Sequence, residues 1–354
     1  MLAGMKSLSA ISEFIDEIPQ EALERLETRI SPVTKKRVPP AYSTIRRALM
    51  AVDPEELDEV VTSWARTGIE QKANRNDDDD EKGTLSGIAV DGKALRGSRQ
   101  SDGTRIHLLS ALDHDSKTII SQKDVPLDKT NEITIFEPLI SALEITGKVI
   151  TADAMHTQVK TARSIVEDKR AHYVFGVKAN QPLLYNAGIE LLETIDLDTA
   201  DFERVQRGHG RIDRHRIWVK DVPEEIKFPY AKQFVLVERE SSDLNDCMKS
   251  LETRIYVTDL IKTDATAESL FRLISSHWSI EANHWIRDVV FNEDLSQIRK
   301  GSLPRAMATL RNLAIAAIRL TAGVTACIAK ATRYLGRNPN LTLDLLGIPP
   351  LVTG

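Results

Sequence analysis

Apolar positions recur at helical spacing through the first 69 residues, alternate with polar ones in the middle of the chain, and return to helical spacing toward its end. Residues 8–29 carry Leu8, Ile11, Phe14, Ile15, Leu23 and Leu26 on repeating faces, interrupted at Pro19, and predict a broken helix. Residues 41–66 repeat the rhythm with Ile45, Leu49, Leu57, Val60, Val61 and Trp64. Ser43 is an expected N-cap there, and Asp53-Pro54-Glu55-Glu56 reads as a second helix start. Residues 70–84 end in Asn76-Asp-Asp-Asp-Asp-Glu-Lys-Gly83 and lose all periodicity. They are expected to form an exposed acidic linker that closes a small helical region over residues 1–69.

Beyond the linker, short apolar runs at 85–90, 107–112 and 118–125 predict three successive strands. A helix over 132–143, capped by Asn131, a strand over 148–152, a helix over 157–168 and a strand over 172–177 follow. The order βββαβαβ predicts an α/β domain with a mixed sheet covered by helices. Asp91 and Asp153 each follow a short apolar strand, the place where such sheets usually hold ligands. From about 182 to 263 the alternation fades into strand-like runs at 216–219, 233–237 and 254–257, which reads as a β-rich insertion.

A long helix should follow. Leu270, Ile274, Trp278, Trp285 and Val289 share one apolar face, and Glu281 falls within it, with His277, His284 and Asp288 along the margin. A carboxylate on a core-facing stripe must be paired, hydrogen-bonded or bound to a cation. Arg272 and Arg287 are the ordinary partners on offer. Residues 304–330 read as a buried helix, and the larger domain so outlined spans 85–335. Gly336, Pro339, Pro349 and Pro350 mark an irregular tail over 336–354.

Composition narrows the function classes. A net charge of −5 argues against non-specific coating of nucleic acid but leaves room for a local basic groove. Such a groove is signalled by Arg204, Arg207, Arg211, Arg214, Arg216 and Lys220 against the single acid Asp213, where His209-Gly210-Arg211 offers donors suited to phosphate. Lys35, Lys36, Arg37, Arg46 and Arg47 are a second basic cluster, read either as solvated surface or as a helical DNA-contacting module. Two cysteines make no disulfide or metal framework, and the most apolar run, 313–331, contains Arg319 and reads as a buried helix rather than a membrane span. A soluble, cytoplasmic protein is expected.

Asp91, Asp153 and Glu281 come from three separate elements, and hard carboxylate oxygens suit magnesium completed by substrate phosphate. Two such ions roughly 3.5–4 Å apart can activate an attacking hydroxyl and stabilise a leaving oxygen. A zinc site from His277, Glu281 and His284 lacks the two-histidine helical pair flanking a glutamate.

Val90-Asp-Gly-Lys-Ala-Leu-Arg-Gly-Ser98, Lys129-Thr-Asn-Glu-Ile133, Thr151-Ala-Asp-Ala-Met-His-Thr-Gln158 and Val177-Lys-Ala-Asn-Gln-Pro182 resemble successive motifs of ISAs-type insertion-sequence transposases. Gly208-His-Gly-Arg-Ile-Asp213, His277-Trp-Ser-Ile-Glu281, Arg287-Asp-Val-Val-Phe-Asn-Glu-Asp294 and Met307-Ala-Thr-Leu-Arg-Asn-Leu313 continue the match in order, from roughly residue 8 to residue 340. The resemblance implies a DDE transposase with an RNase H-like catalytic domain and Asp91, Asp153 and Glu281 as its metal-binding triad. It further implies magnesium, for which manganese can substitute, cleavage at insertion-sequence ends, and transfer of the freed 3′-hydroxyl into target DNA. A dimer or larger assembly on DNA is expected, nucleoid-associated when bound. Lys178, Asn180 and Gln181 past the fifth strand, His209 and Arg211 in the insertion, and Arg287 beyond Glu281 are the residues expected to meet DNA. Related chains usually carry a longer N-terminal region and often an arginine near the position of His277 and a glutamate at that of Asp213. The shorter start makes a catalytically silent DNA-binding derivative the competing reading, and a metal-dependent nuclease without strand transfer a third.

Overall fold

A computed structural model describes residues 1–74, 85–126, 132–208, 210–350. It resolves into two compact units, each assembled from separated stretches of chain. The expected linker residues 75–84, Asn131 and His209 lie outside the described residues.

The first unit takes Met1–Asp80, Gly92–Thr130 and Glu281–Gly354. Its helices are α1 (Leu8–Glu17), α2 (Gln20–Arg25), α3 (Tyr42–Ala51) and α4 (Pro54–Ala73), with α9 (Leu303–Ala322), α10 (Ile328–Gly336) and α11 (Pro339–Leu345) from the other end of the chain. The break at Pro19 falls as the pattern predicts. So does the start of α4, where the Asp53 carboxylate accepts from the backbone N–H groups of Glu55 and Glu56. Ser43 is not a cap: Ala41 occupies that position, with no side-chain bond. α4 runs on to Ala73, past the expected boundary at residue 69.

Strands β2 (His107–Asp113) and β3 (Thr118–Asp124) form an antiparallel hairpin in this unit. A buried polar knot ties α4, β3 and α9 together. Asp58 accepts from Arg305 Nε at 2.8 Å, from Gln122 at 2.9 Å and from the Thr309 hydroxyl, while Asn312 donates to Gln122 at 2.9 Å. The expected continuous helix over 304–330 divides at Gly323, whose φ of 92° favours glycine. The tail is less irregular than predicted. Pro339 opens α11, and Arg25 reaches back to Asp344 at 2.6 Å.

The second unit takes Glu81–Asp91 and Asn131–Ile280. Here β1 (Gly87–Ala94), β4 (Val149–Ala152) and β5 (His172–Val177) run parallel, with α5 (Glu132–Ser141) and α6 (Val159–Arg163) in the crossovers. The helix expected over 157–168 is regular only in α6; residues 164–168 widen into a π turn. The stretch read as β-rich opens instead with a helix, α7 (Pro182–Thr194). Its strands are longer than predicted: β6 (Phe202–Gly208), β7 (Arg211–Asp221), β8 (Gln233–Asp243) and β9 (Met248–Thr258) form an antiparallel meander, and β9 pairs with β5.

The second unit orders its strands β1-β4-β5-β9-β8-β7-β6, parallel and then antiparallel, the mixed sheet expected of an RNase H-like fold. Helix α8 (Ala267–Val289) lays Leu270, Phe271, Leu273 and Ile274 on Val149, Val174, Ile217, Val219, Val235 and Val237. Each fully buried aliphatic side chain there contributes about 1.5–3 kcal/mol, so the helix is fixed by its apolar face.

Candidate active site

The register of β1 and β4 places the first two acids. Val90 lies opposite Ala152, so Asp91 and Asp153 follow the last paired residues on adjacent parallel strands, whose spacing is about 4.8 Å. Ala89 opposite Thr151 sits two residues earlier, and side chains two apart share a face. Thr151, Asp91 and Asp153 therefore look onto one side of the sheet. The strand assignment corrects one detail, since β1 continues through Asp91 to Ala94 although its pairing with β4 stops at Val90. Asp91 is half-buried and Asp153 exposed.

Helix α8 crosses that same face. His277 Nδ1 lies 3.0 Å from Thr151 Oγ1, both buried. Burial pushes the His277 imidazole below its ordinary range, against the pull of the Asp153 charge and the Thr151 bond, and keeps it neutral near pH 7. Glu281 follows His277 by one turn of the same helix.

The face that α8 buries is not the one the tryptophans marked. Leu270, Leu273, Ile274, His277 and Ile280 are buried, whereas Trp278, Trp285 and Val289 are exposed, and so is Glu281. The expected buried carboxylate is thus a solvent-facing one, free of the desolvation cost that a core position would impose. Neither expected arginine is its partner. Arg272 donates to the Leu85 carbonyl at 2.6 Å, and Arg287 belongs to Glu293.

The loop after Asp153 is held from β5 and the turn beyond it. Asn180 donates to the Ala154 carbonyl and Gln181 to the Thr157 carbonyl, both at 2.7 Å, and the Thr157 hydroxyl donates to the Gly176 carbonyl. A Cβ on Gly176 would stand 3.3 Å from the Ala154 nitrogen, so this close approach favours glycine. Asn180 and Gln181 were expected at DNA; their amide N–H groups are engaged in holding the loop that carries Asp153. Lys178, just past β5, is exposed.

Arg211 is also exposed, at 2.8 Å from Asp213. Arg287 requires correction: it is fully buried, bonded through Nε and Nη2 to Glu293 at 2.9 and 3.0 Å, and its charge is turned away from any solvent-borne phosphate. A zinc cluster of His277, Glu281 and His284 is not formed. Among the described residues no three His, Cys, Asp or Glu side chains gather closely enough to hold a metal. Asp91 and Asp153 come together on adjacent strands. Two hard carboxylates still fit magnesium, which binds through one or two carboxylates plus water and substrate phosphate. Sequence reasoning missed Arg239, Arg254 and Phe271, which join Arg204, Arg211 and Trp278 around a cavity of about 270 Å³ on β6–β9. Arg239 and Arg254 lie on β8 and β9 and Phe271 on α8, so no local spacing groups them. Among the described residues, no helix is long and apolar enough to cross a membrane.

A family model described as a transposase DDE domain matches residues 82–317, a span that contains Asp91, Asp153 and Glu281. The H repeat-associated putative transposase YhhI of Escherichia coli K12 is 32% identical over 289 residues, covering 78% of this chain and 72% of that protein. The putative protein YbfL of the same strain is 32% identical over 290 residues, with 78% and 72% covered. The putative transposase YncI of Escherichia coli O157:H7 is 28% identical over 292 residues, with 79% and 71% covered. With two-thirds of its length in the domain and a third of its aligned residues shared with such relatives, the chain belongs to the DDE-domain transposases.

Proposed function

We propose that the chain cleaves phosphodiester bonds at the ends of a mobile DNA element and joins the freed 3′-hydroxyl to target DNA. The observation that carries this reading is that Asp91 and Asp153 lie side by side, just past the last paired residues of two parallel strands under helix α8. Asp91 and Asp153 would hold the divalent ion, magnesium or manganese. Bound there, such an ion supplies activation of the attacking hydroxyl and stabilisation of the leaving oxygen.

The chain's own residues do the positioning. Asn180 and Gln181 fix the backbone on either side of Met155, so the Asp153 carboxylate approaches the phosphate from a defined direction. Neutral His277 ties α8 to Thr151 without adding a cation that would compete for the carboxylates. Lys178, whose side chain is exposed, would meet a phosphate oxygen of the bound strand. Two element ends must be joined to one target, which calls for at least two copies of the chain on DNA.

The test is strand cleavage of a DNA fragment carrying the element's own end, with magnesium or manganese, comparing the full chain with Asp153→Asn. Asp153 is exposed, so the substitution should leave folding intact. Metal-dependent nicking at the end, lost in the variant, is expected. Equal nicking by both proteins would sink the assignment of Asp153.

A further inference from the structure

The meander β6–β9 has two unlike faces. On one, Arg216 pairs with Glu238 at 2.7 Å and Glu240 at 3.2 Å, while Arg214 reaches Glu203 at 3.4 Å, so charges cancel in cross-strand ladders. The other face is set by the alternate residues. Arg204 lies opposite His215, His215 opposite Arg239, and Arg239 opposite Glu252, one row crossing four strands. Nearer the core, the same face carries Ile217, Val219, Val235 and Val237 and is covered by α8. Where α8 leaves the apolar part, a cavity of about 270 Å³ remains between Phe271 and Trp278 of the helix and the charged row of the sheet.

Its chemistry is specific. Four arginines line the cavity (Arg204, Arg211, Arg239 and Arg254) against two carboxylates, Asp213 and Glu252. Asp213 is shared by Arg211 at 2.8 Å and Arg239 at 3.0 Å, and Arg254 lies 3.3 Å from Glu252. The arrangement therefore keeps an excess of positive charge. Burial and the neighbouring Arg239 charge push His215 below its ordinary range, so it adds no cation at neutral pH. Among the described residues, Arg239 Nε and His215 Nδ1 are buried with no hydrogen-bond partner.

The guanidinium of Arg254 lies 4.9 Å from the centroid of the Trp278 ring and that of Arg239 5.9 Å, while Arg204 lies 5.8 Å from that of Phe271. Guanidinium planes and aromatic faces are the two surfaces on which unstacked bases lie. The volume is slightly below the ~300 Å³ at which pockets for drug-sized ligands begin. It is far too small for a duplex.

We propose that this cavity binds one unstacked nucleotide, with its base against the Trp278–Arg254 stack and its phosphate on the arginines. A single-stranded segment of DNA and a free mononucleotide offer the same chemistry. The site lies within the second unit and needs no divalent ion, so it stands or falls separately from metal-dependent cleavage.

The test uses the full chain in EDTA, titrated with dAMP, TMP, a 12-nucleotide single strand, the matching duplex and inorganic phosphate. Trp278→Leu and Arg254→Gln are compared with the parent, and thermal melting checks that both variants fold. Trp278 is 39% exposed, which makes loss of folding unexpected. Stacking of one base on an aromatic ring is worth roughly 1–3 kcal/mol, so single-strand binding should weaken about 5- to 150-fold in Trp278→Leu. Duplex binding should be unchanged. A matching loss for dAMP or TMP would identify a free nucleotide as an occupant; a loss confined to the strand would identify DNA as its source. Equal single-strand affinity in the parent and folded Trp278→Leu overturns the proposal, as does binding of inorganic phosphate as tight as that of dAMP and of the single strand.

Discussion

Glu293 is the residue whose loss should harm the fold most. Its carboxylate is buried between Arg287 and Arg311, themselves 0% and 1% exposed, and bonds to them at 2.9, 3.0 and 3.0 Å. Burial alone would raise its pKa, but the charges of Arg287 and Arg311 outweigh that and hold it below the ordinary carboxylate range. Glu293→Gln keeps the shape and one acceptor but leaves two guanidinium charges buried without a counter-charge. Breaking a buried ion pair from one side costs about 3–5 kcal/mol. For a unit of roughly 150–250 residues each kcal/mol lowers Tm by about 2–4 °C, so a fall of ~6–20 °C is expected.

The assay is thermal unfolding followed by circular dichroism near pH 7. A Glu293→Met, Arg287→Met, Arg311→Leu triple variant should recover most of the loss, because an apolar replacement removes all three desolvation costs together. The pH dependence has a definite sign. A carboxylate whose folded pKa is depressed stabilises the fold above its ordinary value of 4.5 and loses that contribution as pH falls through the folded pKa. The parent should therefore show an acid loss that Glu293→Gln lacks. A single variant melting within about 1 kcal/mol of the parent would refute the reasoning.

His172 donates to Asp259 at 2.8 Å, and this bond raises its pKa above 6.5 despite partial burial. The stabilisation is present below 6.5 and is lost as pH rises through the raised folded value, so His172→Gln should lose more stability near pH 5.5 than near pH 9 in parallel urea titrations. Gly97→Ala would place a Cβ 2.3 Å from the Ser296 carbonyl oxygen and 2.9 Å from that of Glu293. Backbone must move to admit it, at a cost of about 1–3 kcal/mol measurable by denaturant unfolding. Asn180→Ala should slow end cleavage by as much as about 100-fold through displacement of the Asp153 loop, with Tm little changed. Normal cleavage by that variant would remove Asn180 from the positioning role.

Much of the fold was legible because local rules agree with the global one. Asp53-Pro54 both caps and starts α4, and the apolar runs before Asp91 and Asp153 become adjacent parallel strands. Two misses share one cause. Pro182 opens a stretch read as β-rich and Pro339 one read as irregular, yet each occupies the first turn of a helix, where its missing N–H is no loss. The α8 face was misread for a different reason. His277 and Arg287 are buried on it because Thr151 and Glu293 satisfy them, and neither partner is signalled by helical spacing. The two tryptophans, with apolar rings and one polar edge, tolerate solvent and gave the wrong face.

The same lesson bears on charge. The chain's net −5 and the basic run around Arg211 point in opposite directions until the pleat is taken into account. On β7 the even-numbered Arg214 and Arg216 meet glutamates and are neutralised; Arg211 of the same strand and the row from Arg204 through His215 to Arg239 belong to the other face. A strand divides its charges by parity, so two arginines three residues apart lie on opposite faces. The excess on the cavity side comes from arginines spread over four strands, with the tryptophan that stacks on them contributed by a helix that begins after the last of those strands. No window of sequence contains that site, and whole-chain charge cannot reveal it: recognition here depends on which groups a face leaves uncompensated.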